Sequence, residues 1–125
     1  MTGQLQVGVF TLDAGIVVVR VGGALDMDSY PTLQMRLAEA LTFHRPPLVA
    51  VDVGGVTAAD SYGLSVLIAA EQHARTLGGR MAVCAPGDLL RATFQRRGLD
   101  QVLNPRPTLA EAVRDLRAVP RQPPS

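Results

Sequence analysis

At 125 residues, 47% of them apolar and 18% charged, the chain is long enough to bury one core and too short for two domains. Twelve basic against eleven acidic residues leave a net charge of +1, so there is no electrostatic case for a nucleic acid or an anionic membrane as the main partner. All twelve cations are Arg, which excludes a Walker-type phosphate lysine, a Schiff-base lysine and a kinase strand lysine. The single cysteine, Cys84, excludes an internal disulfide and a cysteine-rich metal site.

Gln6 to Leu12 alternates with period two, and Gly15 to Gly23 is β-branched throughout; with the turn signal Asp13-Ala14-Gly15 between them, they predict a hairpin. Asp28 or Ser29 caps a helix that tolerates Pro31 in its first turn, carries Leu33, Leu37, Ala40 and Leu41 at helical spacing, and is stopped by Arg45-Pro46-Pro47. Leu48 to Val53 reads as a short strand covered on both faces, followed by a Gly54-Gly55 loop. A helix from Ser61 to Leu77 ends at Gly78-Gly79, and Met81 to Ala85 makes the next strand.

Pro86-Gly87-Asp88 opens a third helix with Leu89, Leu90 and Phe94 on one side and Arg96-Arg97-Gly98 as its cationic end. Leu99 to Leu103 is expected to add a short strand, and Thr108-Leu109-Ala110-Glu111 is a capping box that starts a last helix. The order is ββαβαβα(β)α: an α/β fold with a mixed sheet, built from an N-terminal hairpin plus crossover strands, and about four helices. One domain is expected over residues 1–119, with a flexible Pro-rich tail from Pro120 to Ser125. Met1 to Gln6 lacks the cationic and apolar regions of a leader. No apolar stretch approaches the ~20 residues of a membrane span, so the expected place is a reducing cytoplasm.

Chemistry points to the stretch from Val49 to Leu64, a buried strand leading through Gly54-Gly55 to Asp60-Ser61-Tyr62-Gly63 where a helix begins. Ser61 either caps that helix by accepting a backbone N–H or shows its hydroxyl to solvent beside unpaired N–H groups that would welcome an anion. Gly63 either lets another backbone approach or is a packing glycine. Asp52 is either a structural carboxylate bonded to loop amides or a group that positions Ser61, and Asp26 and Asp28 serve as turn and cap residues or as partner contacts. His44 and His73 lie far apart in sequence and receive no metal or catalytic role.

Gly22-Gly23-Ala24-Leu25-Asp26, Leu48-Val49-Ala50-Val51-Asp52-Val53-Gly54-Gly55-Val56 and Asp60-Ser61-Tyr62-Gly63-Leu64, in this order and spacing, resemble a STAS domain of the anti-sigma factor antagonist type, from about Gln6 to about Leu116. The resemblance implies a protein without catalytic activity or cofactor of its own, which binds an anti-sigma factor of the serine-kinase type and so releases a sigma factor; the kinase brings the ATP. It also implies phosphorylation at Ser61, with Asp26, Asp60, Tyr62 and Gly63 beside it on the docking surface. Ala24 stands where the family often has Glu, and Tyr62 where it often has Ser or Thr. A free monomer is the expected state.

A phosphate on Ser61 adds about −1.5 to −2 charges. Repulsion between unit charges about 6 Å apart at an effective dielectric of ~20 is about 2–3 kcal/mol, more than a tenfold change in affinity, so the expectation is an interface gated by charge. Two rival readings remain at this stage. STAS-like domains also serve as subunits of lipid-transport ATPases or as sensory modules. A small serine hydrolase is the remote alternative, because Ala59-Asp60-Ser61-Tyr62-Gly63 is similar to a nucleophile elbow with Ala for the first Gly; the one histidine downstream, His73, lies about three turns along the same helix.

Overall fold

The computed structural model describes residues 4–12 and 15–120. Strands β1 (Gln6–Leu12) and β2 (Ile16–Leu25) pair antiparallel, with Gln6 opposite Gly22 and Leu12 opposite Ile16. Asp13 and Ala14 of the expected turn lie outside the described residues, as do residues 121–125 of the expected tail. Helix α1 (Tyr30–Ala40) leads to β3 (Leu48–Ala59), α2 (Ser61–Thr76) to β4 (Arg80–Cys84), and α3 (Asp88–Arg96), α4 (Asp100–Leu103) and α5 (Leu109–Arg117) close the chain. The sheet order is β1-β2-β3-β4, with β3 parallel to both neighbours, so the sheet is mixed, as expected.

Period-two alternation divides the apolar residues between two faces. Val17, Val19 and Val21 of β2, Val49, Val51 and Val53 of β3, and Met81 and Val83 of β4 share one cluster with Leu33 and Leu37 of α1, Leu64 and Leu67 of α2 and Phe94 of α3. Ile16, Val18, Leu48, Ala50 and Cys84 face the other way and meet Ala112, Val113 and Leu116 of α5. The buried β3 run is therefore covered on both sides.

Four expectations are corrected. The strand expected to stop at Val53 continues to Ala59: the segment after Val53 is not a loop but pairs with the end of β2, Gly22 opposite Gly55 and Leu25 opposite Ala59, through two register shifts that the glycines accommodate. Leu99 to Leu103 is not a strand. Leu99, Val102 and Leu103 recur at i, i+3 and i+4, and the segment closes as the short α4, ended by Asn104 at φ 44°; the place beside β4 is taken by a single bridge from Cys84 to Arg106. The described residues accordingly hold five helices, where about four were expected. Leu89 does not share the side of Leu90 and Phe94 but is 64% exposed, because adjacent helical residues point about 100° apart. At α1, neither Asp28 nor Ser29 caps with its side chain. The Ser29 hydroxyl instead donates to the Ala24 carbonyl (2.8 Å) and accepts from the Asp26 N–H (2.9 Å).

Among the described residues no helix is long and apolar enough to cross a membrane.

Candidate functional site

The site forms where β2 and β3 end side by side. Pairing of Leu25 with Ala59 brings the turn into α1 against the start of α2, and the Asp60 N–H donates to the Leu25 carbonyl at 3.1 Å. Asp60 is extended (φ −114°, ψ −176°) and caps α2: its Oδ1 accepts from the N–H groups of Tyr62 (3.0 Å) and Gly63 (3.1 Å). Its Oδ2 accepts from the Met27 N–H at 3.1 Å, so one carboxylate ties the helix start to the neighbouring turn.

Because Asp60 takes the cap, the Ser61 hydroxyl is not used as one. Ser61 is exposed, and its Oγ accepts from Nη1 of Arg97 at 3.1 Å. Of the two readings left open, display to solvent is the one observed, with a correction: two of the N–H groups expected to welcome an anion already bind the Asp60 carboxylate.

Tyr62 is 52% exposed and stacks on Tyr30 of α1 with ring centroids 5.6 Å apart, so the phenol leans toward α1 and the serine stays open. Met27, whose N–H is held by Asp60, is 57% exposed and adds apolar surface near the start of α2. Gly63 is buried, and a Cβ there would lie 2.6 Å from the Leu25 carbonyl oxygen; the backbone it lets in close belongs to this chain, so its contribution is internal packing. Asp26 is half-buried, its Oδ1 accepting from the N–H groups of Asp28 (3.0 Å) and Ser29 (3.1 Å), which makes it the organiser of the turn into α1.

Asp52 has no contact with Ser61. Its Oδ1 accepts from the Gly54 N–H at 2.9 Å and its Oδ2 lies 3.7 Å from Nε of Arg20, the residue opposite on β2, so it is the structural carboxylate of the two readings. His73 is exposed in the last turn of α2, far along the helix from Ser61, and the hydroxyl's partner is a cation that cannot serve as a general base. Among the described residues no three His, Cys, Asp or Glu side chains gather as a metal site.

Arg97 is the site residue that sequence reasoning missed. The sequence reads it as half of the cationic end of α3, and it is indeed the C-cap of that helix, followed by Gly98 at φ 67°. The glycine marks where α3 ends, but no local signal reports that this end abuts the start of α2, a separation of 36 residues.

The sequence matches the STAS domain family over residues 10–112. It is 25% identical to an anti-sigma F factor antagonist of Paenibacillus polymyxa over 89 residues, which make up 71% of this chain and 76% of that protein. The structure is similar to the crystal structure of an anti-sigma factor antagonist from Mycobacterium paratuberculosis, with a TM-score of 0.81 at 27% identity, covering 94% of this chain and 99% of that one. The phosphorylated form of the Bacillus cell fate determinant SpoIIAA shares the fold, with a TM-score of 0.66 at 19% identity, covering 90% of this chain and 100% of that one.

Proposed function

Because the chain belongs to the STAS domain family, and relatives similar to it are anti-sigma factor antagonists, we propose that it acts as one: a single-domain, non-catalytic cytoplasmic protein, monomeric when free, that binds an anti-sigma factor serine kinase and releases a sigma factor. Phosphorylation of Ser61 switches it off. The observation that carries this reading is the Ser61 hydroxyl, exposed at the start of α2 and left free of capping by Asp60.

In the modification, Ser61 Oγ bonds to the γ-phosphorus of the kinase's ATP, the bond to the bridging oxygen breaks, ADP leaves, and the hydroxyl proton passes to a base of the kinase or to water. Asp60 and Tyr62 flank the hydroxyl, Met27 extends the contact area, and Asp26 shapes the turn that carries it. The phosphate adds charge beside the Asp60 carboxylate, where a docked partner strips away water, so the modification acts on binding far more than on shape.

The test is to mix the protein with candidate partner kinases of the same genome and ATP, and to look by mass spectrometry for a single phosphate. Ser61→Ala is expected to abolish it; modification of that variant to the same extent would reject the site. Ser61→Asp is expected to weaken the complex tenfold or more while folding stability stays within about 1 kcal/mol, as for other surface changes. Equal affinity of Ser61→Asp and wild type would count against gating by charge.

A further inference from the structure

The guanidinium of Arg97 already donates to the oxygen that would carry a phosphate, from a different helix and across 36 residues of sequence. We propose that Arg97 is the clamp of the modified state: it closes a charge-assisted pair on a phosphate borne by Ser61 and holds that phosphate against the end of α3. This rests on the reading of Ser61 as a phosphorylation site.

Three observations converge on Arg97. Phosphorylation adds three acceptor oxygens next to the Ser61 Oγ, and a planar guanidinium with several N–H donors at 3.1 Å can engage two of them at once. The usual local remedy for an anion at this position, the open N–H groups of a helix start, is reduced, because those of Tyr62 and Gly63 are bound to Asp60, whose carboxylate repels a phosphate. The neighbouring cation is engaged elsewhere: Nη2 of Arg96 donates to the Thr93 hydroxyl at 3.4 Å, back along α3. Both Arg97 and Ser61 are exposed, so the pair can tighten without repacking the core.

The clamp has a consequence for the switch. The modified site presents a phosphate joined to Arg97, so a partner meets an added anion and at the same time loses access to a cation it could otherwise engage. The switch therefore draws on a change in two side chains.

Phosphoserine installed at position 61 during translation tests this without any kinase, so failure of the clamp and failure of the kinase reading are separate results. The readout is the phosphorus NMR titration of the second phosphate ionisation, which lies near pH ~6 for an unpaired phosphoserine. Asp60 acts on that ionisation in every variant, so the difference between variants isolates Arg97. The wild-type midpoint is expected to lie about half a unit or more below that of Arg97→Gln, with Arg97→Lys restoring part of the difference through its charge alone. Arg97 is exposed and its removal is expected to leave the amide NMR spectrum of the unmodified protein native. Equal midpoints for wild type and Arg97→Gln in the folded proteins would overturn the clamp.

Discussion

Cys84 pairs with Asp52 across β4 and β3 and is buried on the face that α5 covers. Burial, with a smaller contribution from the Asp52 negative charge, pushes the Cys84 pKa from 9.0 up to about 12. The native thiol therefore keeps its proton where the unfolded one gives it up. Its contribution to stability is complete below pH 9 and is lost as the pH rises from there toward about 12. Urea denaturation between pH 8 and pH ~11 is expected to show a steeper loss of stability for wild type than for Cys84→Ala. Parallel curves would mean that the thiol ionises equally in both states.

The start of α2 shows how one side chain joins two elements. Asp60 satisfies two N–H groups of the helix and one of the turn into α1, while β3 delivers it to that position by pairing as far as Ala59. Asp60→Ala is expected to cost about 1–2 kcal/mol of folding stability in urea titration, with Asp60→Asn costing less because its amide oxygen still caps. An Asp60→Ala protein as stable as wild type would show that strand pairing alone positions α2. Gly63 completes the joint: the close approach of Leu25 leaves no room for a side chain, so α2 can sit against the end of β2 only with glycine at this position.

Across the whole molecule the sheet has two unequal sides. One carries α1, α2 and α3 over the larger cluster, and the other is covered by α5, whose Ala112, Val113 and Leu116 meet Ile16, Val18, Leu48 and Ala50. Leu116 is 1% exposed, and Leu116→Ala is expected to cost about 2–5 kcal/mol, since the cavity it leaves is bounded by a rigid sheet. A loss under about 1 kcal/mol would mean that α5 is only loosely held. Ser61 lies at the start of α2, on an element of the other side, so this loss is expected to leave the switch chemistry intact in molecules that remain folded.

Much of this organisation was legible in the amino-acid order itself. Period-two runs from Gln6 to Leu12 and from Ile16 onward, helical spacing through Leu64 and Leu67, and the Thr108 cap, which accepts from the Glu111 N–H at 3.2 Å, are short-range signals, and the elements they specify form where expected. The motif that Asp60 and Ser61 share points to both as candidate site residues. Which of them caps α2 was decided by the frame in which β3 ends, set by pairing with β2 rather than by either residue's preference. The helical path of Leu99 to Leu103 and the meeting of Arg97 with Ser61 were likewise decided in three dimensions. Local propensity and periodicity act over a few residues, whereas the distance between two helix ends depends on how both pack against a common sheet.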